Sequence, residues 1–295
     1  GDFPGTVSTD KNLQALIING MTVFIISANK PENIDYTTYG INEALVIDNT
    51  GVFRDLDALK RHLKSKGAKK VLLTAPGKGI PNIVHGVNHL EYSPNTTDIF
   101  SAASCTTNAI TPILKVIEDN CGIIHGHLET IHAYTNDQNL VDNMHSKYRR
   151  GRAAALNMVI TETGAGKAVS KALPSLENRL TSNAIRVPVP NGSLAILNLQ
   201  IKKSVTLNKI NNLIKGAALS GNLVEQIKYE LNNELVSSDI VGCTAPAIYD
   251  SKATIVRSDG KNIIIYIWYD NEFGYSHQVI RLAKYIAKVR RFTYY

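Results

Sequence analysis

Short apolar runs separated by polar turns dominate the first part of the chain. Ala15–Ile18 and Met21–Ile26 are two such runs, and Asn19-Gly20 lies between them. An Asn-Gly pair between apolar runs is a strong signal for the two-residue turn of a β-hairpin. The chain is therefore predicted to open with β-structure.

Two further runs flank a segment with helical spacing. Ala44–Asp48 and Val71–Thr74 are typical of buried strands, and Arg54–Gly67 between them is amphipathic and ends at a glycine. Strand, helix and strand in this order predict a βαβ unit in a parallel sheet. Ile83–Val87 and Asp98–Ala102 are predicted to be additional short strands.

A longer helix is predicted over Cys105–Asp119, with Gly122 placed to end it. Beyond Gly122, long alternating segments predict strands, and helical segments interrupt them. The predicted strands are Ile123–Thr135, Asn183–Val189, Leu194–Lys202, Ala253–Arg257 and Ile263–Tyr269, with a hairpin turn at Asp259-Gly260. The predicted helices are Thr163–Leu173, Leu207–Leu219 and Leu223–Leu231.

This pattern predicts an α/β domain followed by an α+β domain. The first, residues 1–104, is expected to be part of a doubly wound fold, and the second, residues 105–275, a mixed, largely antiparallel sheet packed on helices. The last segment, Ser276–Arg290, is amphipathic. We expect the C-terminal helix within residues 276–295 to close back over the first domain and complete it.

Composition and charge exclude several classes of protein. Hydrophobic residues make up 44% of the 295, and no apolar run approaches the roughly 20 residues that span a bilayer, so we expect no membrane partner. The net charge of +7 is spread along the chain without a nucleic-acid-binding motif. A solvated basic surface explains this charge better than nucleic-acid binding, and small phosphorylated ligands suit it equally well. Three cysteines and no export signal indicate free thiols in the cytoplasm.

Cys105 lies where a predicted strand gives way to a helix, in the sequence SAASCTTNAI. The first turn of a helix has unpaired N–H groups and a partial positive charge, which can lower the pKa of a cysteine. The hydroxyls of Ser104, Thr106 and Thr107 can cap N–H groups or bind a substrate oxygen. The pattern suits a nucleophilic thiolate, and it suits a small buried side chain equally well.

Three histidines in one predicted strand are candidates for a base. His125 and His127 share one face of the strand and His132 lies on the other, because side chains alternate along a strand. This parity argues against a three-histidine metal site, and Cys121 with His125 fits zinc spacings poorly, so no metal is expected. The residues alone do not select the histidine that would serve the cysteine.

A glycine-containing segment, TGAGK, begins at Thr163-Gly164. It lacks the earlier glycine and the final Ser/Thr of a nucleoside-triphosphate loop. Backbone N–H groups at the start of a helix can still bind a single phosphate.

Five blocks of sequence stand out along the chain. They are SCTTN (Ser104–Asn108), HAYTNDQ (His132–Gln138), RRGRAAALNMVITETGAGKAV (Arg149–Val169), AIRVPVPN (Ala184–Asn191) and WYDNEFGYS (Trp268–Ser276). Together they resemble the phosphorylating glyceraldehyde-3-phosphate dehydrogenase family. The resemblance covers essentially the whole chain, and the combination is far more specific than any one block.

The resemblance implies an oxidoreductase that uses NAD or NADP and inorganic phosphate to convert glyceraldehyde 3-phosphate into 1,3-bisphosphoglycerate, in glycolysis or gluconeogenesis. Cys105 matches the family's nucleophile, and His132, 27 residues later, matches its base. The implied route is a thiohemiacetal on the cysteine, loss of hydride to give a thioester, and displacement of the acyl group by phosphate.

The resemblance also implies two sets of binding residues. Those expected to bind the substrate phosphate or the attacking phosphate are Ser104, Thr106, Thr135, Asp137, Arg150, Thr163, Gly164 and Arg186. Those expected to bind the cofactor are Thr50, Gly51, Thr74, Asn271 and Tyr275. Arginine matches phosphate oxygens with a planar fork, although a lone arginine more often forms a surface ion pair.

The chain also departs from the family pattern. The family's first strand, glycine fingerprint and ribose-binding acid have no counterpart, so we expect an N-terminally truncated, Rossmann-type cofactor domain, which leaves NAD and NADP undistinguished. Ala109 replaces a second cysteine found in many relatives, which should matter little to catalysis.

Other functions stay open at this point. One is erythrose-4-phosphate dehydrogenase, a sister activity with the same cysteine and histidine; Thr135 favours the triose substrate instead. A cofactor-deficient binding protein is another. A Cys-His hydrolase is more remote, because no motif supplies an orienting Asn or Asp. The resemblance further implies a homotetramer.

Overall fold

The computed structural model describes residues 3–289, which form three β-sheets with α-helices packed on them. The strands are β1 (Val7–Asp10), β2 (Ala15–Ile18), β3 (Met21–Phe24), β4 (Ala44–Asp48), β5 (Ala68–Leu73), β6 (Ile99–Ser101), β7 (Ile123–Ala133), β8 (Val159–Thr161), β9 (Leu180–Val187), β10 (Ser193–Ile201), β11 (Ile227–Glu230), β12 (Ala247–Asp250), β13 (Ile255–Val256) and β14 (Asn262–Tyr269). The α-helices are α1 (Leu56–Lys60), α2 (Cys105–Cys121), α3 (Ala165–Ala172), α4 (Leu207–Leu219) and α5 (Phe273–Ile286).

The first sheet is the antiparallel meander β1–β2–β3. Its second turn confirms the predicted hairpin, because Ile18 pairs with Met21 and both turn residues have positive φ, +48° at Asn19 and +80° at Gly20. β3 ends at Phe24, two residues before the predicted end, and β1 was not predicted.

The second sheet is the predicted parallel one, in the order β4–β5–β6. Successive residues of β5 face opposite sides: Leu72 packs in one apolar cluster with Phe100 and α5, and Val71 packs in another with Leu59 of α1. Both faces of the sheet are therefore covered at β5, whereas Ile47 of β4 is 39% exposed. Its extension into a complete doubly wound fold stays a prediction.

The helix predicted over Arg54–Gly67 is wrong in its length. α1 spans only Leu56–Lys60, and a 3-10 turn over His62–Lys64 follows. The chain tightens where the buried ring of His62 bonds the carboxylate of Asp48, with 3.0 Å between Nε2 and Oδ2. A tertiary contact thus ends the helix before its glycine stop.

The strand predicted over Ile83–Val87 is also wrong. The buried side chain of Asn88 bonds this backbone instead: its Oδ1 accepts from the N–H of Val84 at 2.8 Å, and its Nδ2 donates to the neighbouring carbonyl of Asn82 at 3.1 Å. Gly86 adopts a φ of +83°, which a regular strand cannot contain.

The third sheet has eight strands, seven of them in the order β11–β12–β14–β10–β7–β9–β8, with β13 paired to β14. Only β7–β9 and β11–β12 are parallel, which confirms the predicted mixed, largely antiparallel sheet. The main apolar core lies between this sheet and the helices α2, α3 and α4. Gly122, with a φ of +69°, ends α2 as predicted.

The helix predicted over Leu223–Leu231 is wrong in type. Leu223 and Ile227 are buried as the helical spacing suggested, but Leu231 is exposed and Ile227–Glu230 is β11. Parallel pairing with β12, a strand that was not predicted, overrides the local spacing. β8 was not predicted either, and the strand predicted over Ala253–Arg257 contracts to the two residues of β13.

The last helix, α5, lies against the parallel sheet. Val279, Leu282 and Ile286 pack on Leu72 and Phe100, which confirms the predicted return to the first part of the chain. α5 begins at Phe273, three residues before the prediction, and ends at Ile286. Residues 290–295, the last part of the segment in which the C-terminal helix is predicted, lie outside the described residues, and the domain boundary at residue 104 stays a prediction.

No helix within residues 3–289 combines the length and the apolar character that crossing a membrane requires.

We predict that α5 contributes to global stability. Leu282→Ala removes a side chain that is 1% exposed and should lower the free energy of unfolding by about 2–5 kcal/mol. Ile280→Ala, on the same helix but 47% exposed, is the control and should cost roughly 0.5 kcal/mol or less. Denaturant titration measures both, and equal losses would contradict the packing described here.

Candidate active site

Cys105 is the first residue of α2, where β6 leads into the helix. Ser104 is the N-cap, and its Oγ accepts from the N–H of Thr107 at 3.1 Å and contacts the Thr107 hydroxyl at 2.7 Å. This cap satisfies one of the free N–H groups of the first turn. Cys105, which is half-buried, is therefore held in a fixed orientation at the start of a long helix.

The backbone just before the helix is strained. Ala103 has a φ of +55°, a region that a residue with a Cβ enters at a cost of about 1–2 kcal/mol. Two hydrogen bonds hold it there: its N–H donates to Ser101 Oγ at 3.1 Å, and its carbonyl accepts from the Tyr275 hydroxyl at 2.9 Å. Tyr275, a predicted cofactor residue, thus reaches from α5 to within two residues of Cys105.

His132 of β7 faces the cysteine. Its Nε2 lies 3.5 Å from Cys105 Sγ, and its Nδ1 lies 2.7 Å from the carbonyl oxygen of Ala133. Arg186 Nη1 also lies 3.0 Å from Nδ1, but its two hydrogens have acceptors in the Ala133 carbonyl oxygen and Thr135 Oγ1. Since that carbonyl oxygen can only accept, we assign the ring proton to Nδ1, which leaves the lone pair of Nε2 directed at the sulfur. His125 and His127 lie on the exposed face of β7, so the predicted parity is confirmed.

Arg186 lies beside His132 because β7 and β9 run parallel and these two residues are in register. Its Nη1 donates to the carbonyl oxygen of Ala133 and to Thr135 Oγ1, each at 3.0 Å. The same carbonyl oxygen therefore holds the imidazole ring and the guanidinium. The Nε of Arg186 is buried and has no partner within residues 3–289.

Burial controls the protonation of Cys105 and His132. It raises the pKa of the Cys105 thiol, and hydrogen bonding by Thr106 and the charge of Arg186 only partly oppose it. The lowered cysteine pKa that the helix start suggested is therefore wrong. Burial, with the Arg186 charge second, lowers the pKa of His132 to about 4. At neutral pH the pair is a thiol beside an uncharged imidazole.

A charged cluster extends from Arg186 to the loop after β7. Arg150 bonds the carboxylate of Asp137 and donates from Nε to Thr161 Oγ1 at 2.9 Å, while Asp137 also accepts from Thr135. Arg186 Nη2 lies 3.9 Å from the same carboxylate. Burial opposes ionisation of Asp137, but the Thr135 hydroxyl and the two arginines hold its pKa below the ordinary value. Two guanidiniums share one carboxylate, so the cluster keeps a positive charge.

These residues surround a cavity of about 220 Å³. It is lined by Pro76, Ser104, Cys105, Thr106, Thr130, His132, Glu162, Thr163, Gly164, Ala165, Ala168, Ala184 and Arg186. Both predicted catalytic residues and five of the eight predicted phosphate-binding residues are among them. Thr135, Asp137 and Arg150 join the site through Arg186.

The wall beside Cys105 holds a buried hydroxyl chain that the sequence did not reveal. The Tyr269 hydroxyl lies 3.0 Å from Thr106 Oγ1 and 2.7 Å from Thr130 Oγ1, and burial raises the pKa of Tyr269. Its ring meets the imidazole of His132 edge-on, with 5.8 Å between centroids. The only sequence signal for this role is the place of Tyr269 inside the WYDNEFGYS block.

The other predicted cofactor residues form two groups. Thr50, Gly51 and Thr74 gather at the carboxyl ends of β4 and β5, where Thr50 bonds the side chain of Asp48 and Thr74 bonds its carbonyl. Asn271 follows β14, and its Oδ1 accepts from Ser193 Oγ at 2.7 Å. Within residues 3–289, no three His, Cys, Asp or Glu side chains lie close enough together to hold a metal ion.

Comparison with known proteins gives one family. Residues 104–271 match the family described as "Glyceraldehyde 3-phosphate dehydrogenase, C-terminal domain". The "Glyceraldehyde-3-phosphate dehydrogenase-like protein" of Pseudomonas aeruginosa is 51% identical over 98% of this chain, which spans 62% of that relative's length. "Glyceraldehyde-3-phosphate dehydrogenase 2" of Synechocystis sp. is 42% identical, and "Glyceraldehyde-3-phosphate dehydrogenase" of Geobacillus stearothermophilus 41%; the chain spans 84% of each.

Arg186→Gln should shift the titrations of Cys105 and His132 in the same direction, towards higher pH. The guanidinium charge favours thiolate and disfavours imidazolium, so its loss should raise the pKa of Cys105 further and raise that of His132 from about 4 towards its ordinary value. Thiol alkylation against pH and NMR titration of the imidazole measure the two changes. Arg152→Gln, which removes an exposed arginine paired with Asp142, is the control. A pKa that fell in Arg186→Gln, for either Cys105 or His132, would contradict the charge assignment.

Proposed function

The chain belongs to the glyceraldehyde-3-phosphate dehydrogenase family, and on that premise we propose that it oxidises glyceraldehyde 3-phosphate to an acyl phosphate through Cys105. The observation that carries the proposal is the 3.5 Å contact between Cys105 Sγ and the unprotonated Nε2 of His132, inside a cavity with Arg186 on its wall. A nucleophile, a base and an anion-binding group converge there, as acyl transfer to phosphate requires.

The first step forms a carbon–sulfur bond. The uncharged His132 takes the thiol proton as Cys105 Sγ adds to the aldehyde carbon, and it returns that proton to the former carbonyl oxygen to give a thiohemiacetal. The lowered pKa of His132 keeps the ring able to accept the proton at neutral pH. Because the pKa of the free thiol is raised, transfer to His132 has to accompany substrate binding.

The second step removes hydride from the same carbon. His132 takes the hydroxyl proton as carbon loses hydride, and an acyl thioester remains on Cys105. The chemistry supplied by a bound nicotinamide, in NAD or NADP, is acceptance of that hydride. Inorganic phosphate then attacks the thioester carbon, and the carbon–sulfur bond breaks to return the Cys105 thiolate. The product is an acyl phosphate, whose new bond conserves the energy of the thioester.

The residues present fit a nicotinamide cofactor. Asn271 uses its Oδ1 internally, and within residues 3–289 its Nδ2 group has no acceptor, so it can donate to a carboxamide oxygen. Thr50 and Gly51 are exposed at the carboxyl end of the parallel sheet, the edge at which open α/β sheets bind such ligands. NAD and NADP share the groups that these residues would contact, so the proposal covers both.

The positive cluster fits two phosphates. Arg186, Arg150 and Thr135 offer a substrate phosphate one excess positive charge and the unpartnered Nε of Arg186. Thr163 and Gly164, at the start of α3 on the cavity wall, offer hydroxyl and N–H donors to the attacking phosphate. We therefore assign the substrate phosphate to the arginine cluster and the attacking phosphate to the start of α3.

We also propose that the chain works as a homotetramer in the cytoplasm. The segment between β7 and β8 exposes large apolar side chains that a monomer rarely leaves in water. They are Leu140, Val141, Met144, Tyr148, Leu156 and Met158, each more than 70% exposed. A second copy of the chain would cover them. A reaction that depends on a free thiol also needs a reducing compartment.

Cys105→Ser should lower the rate of acyl-phosphate formation at least about a thousandfold, because a serine hydroxyl cannot form the thioester. His132→Gln should lower it roughly 10²- to 10⁴-fold by removing the base. Cys243→Ser, which changes another partly exposed free cysteine, is the control and should leave the rate unchanged. Cofactor reduction with glyceraldehyde 3-phosphate and inorganic phosphate is the assay.

Three outcomes would redirect the proposal. Normal activity of Cys105→Ser would overturn the mechanism. A higher kcat/KM for erythrose 4-phosphate than for glyceraldehyde 3-phosphate would assign the sister activity. Calorimetry that detects neither NAD nor NADP binding would favour a binding protein without catalysis.

A further inference from the structure

We propose that Ser193 is a positioning residue that fixes which end of the Asn271 side-chain amide faces the cofactor. This inference rests on the proposed function, since it deepens the role of Asn271 towards a nicotinamide carboxamide. Neither the sequence blocks nor the family match assigns a role to Ser193. The geometry around its hydroxyl carries the argument.

The direction of the Ser193 hydrogen bond follows from its neighbours. Ser193 Oγ lies 3.1 Å from the backbone nitrogen of Ala133 and 2.7 Å from Asn271 Oδ1. A backbone N–H can only donate, so the hydroxyl oxygen accepts there, and because Asn271 Oδ1 can only accept, the Ser193 hydroxyl donates its proton to it. The amide oxygen of Asn271 therefore faces Ser193, and its NH₂ group faces away from it.

Ser193 itself has little freedom. It is 1% exposed and pairs with Tyr269 at the start of β10. The preceding Gly192 has a φ of +91°, and a Cβ built on it would lie 2.7 Å from the carbonyl oxygen of Ser237. Only glycine fits that turn, and the turn delivers the Ser193 hydroxyl to a fixed point.

The backbone of Asn271 is fixed as well. The carboxylate of the preceding Asp270 accepts from the N–H groups of Gly242, Glu272 and Phe273 at 2.8–2.9 Å. The free variables that remain are the side-chain torsions of Asn271, which is 8% exposed. The Ser193 hydrogen bond sets the last of these torsions, so it decides whether a donor or an acceptor is presented.

The consequence is that Asn271 presents its NH₂ group, a hydrogen-bond donor, to the nicotinamide carboxamide. A carboxamide carries both an acceptor oxygen and a donor nitrogen, and an amide that could turn over would bind either one. Ser193 removes that ambiguity. Its second hydrogen bond ties the same hydroxyl to Ala133, the residue whose carbonyl oxygen orients His132, so the cofactor donor and the base share one anchor.

A double-mutant cycle tests the inference. The variants are Ser193→Ala, Asn271→Ala and the double variant, with the Kd of NAD measured by calorimetry on the whole chain. Ser193→Ala should weaken binding about two- to tenfold when Asn271 is present, the range expected for one hydrogen bond. In the Asn271→Ala background it should have almost no effect, because the group it acts through is gone. Equal effects in both backgrounds would overturn the proposal.

A matched control separates this from general destabilisation. Ser251→Ala removes another buried hydroxyl, one that donates to the carbonyl of Glu230 at 2.6 Å, in another part of the sheet. It should leave the Kd unchanged. A Ser251→Ala variant that weakened NAD binding as much as Ser193→Ala would contradict a specific role for Ser193.

A second measurement needs no cofactor. In protein labelled with ¹⁵N at asparagine, the side-chain NH₂ signals of Asn271 are identified by their loss in Asn271→Asp. Ser193→Ala should shift and broaden them, while Ser251→Ala should not. Unchanged signals would overturn the positioning role even where wild-type protein binds no NAD, an outcome that by itself contradicts only the proposed function.

Discussion

The site depends on the parallel pairing of β7 with β9, which sets His132 and Arg186 side by side. Burial and the neighbouring arginine both lower the pKa of the imidazole, so the charge proposed to bind an anionic substrate also helps to keep the proposed base uncharged. The Ala133 carbonyl oxygen binds both groups and directs the free Nε2 of His132 at the cysteine. One strand register therefore fixes the geometry and the protonation of the site together.

Burial keeps the thiol and the imidazole of the site uncharged. It raises the pKa of Cys105 and lowers that of His132, so at neutral pH the two groups are a thiol and a neutral ring. Next to them, Ala103 has a strained backbone with positive φ, and its carbonyl accepts a hydrogen bond from the hydroxyl of Tyr275 in α5. The last helix thus links the parallel sheet to the start of α2, and both proposed binding regions share one support.

Sequence periodicity predicted the long elements best. The parallel strands, the core helix α2 and most of the large sheet carry patterns that local physics can interpret. Periodicity failed where a partner outside the segment decides the structure. Leu223–Leu231 has helical spacing, but Ile227–Glu230 within it pairs with β12, and in Ile83–Val87 the N–H of Val84 bonds the side chain of Asn88.

The same distinction holds within the site. Cys105 could be singled out from its neighbours, but the choice of His132 and the phosphate residues came from family resemblance. The contacts of Ser193 and Tyr269 could not be predicted, because their partners Asn271 and Thr106 lie 78 and 163 positions away. A direct test of the covalent route is mass spectrometry of protein mixed with glyceraldehyde 3-phosphate and NAD in the absence of phosphate. We expect an acyl group on the peptide that contains Cys105, and we expect added phosphate to release it. Turnover with no adduct on that peptide, or an adduct on Cys121 or Cys243, would contradict the covalent route.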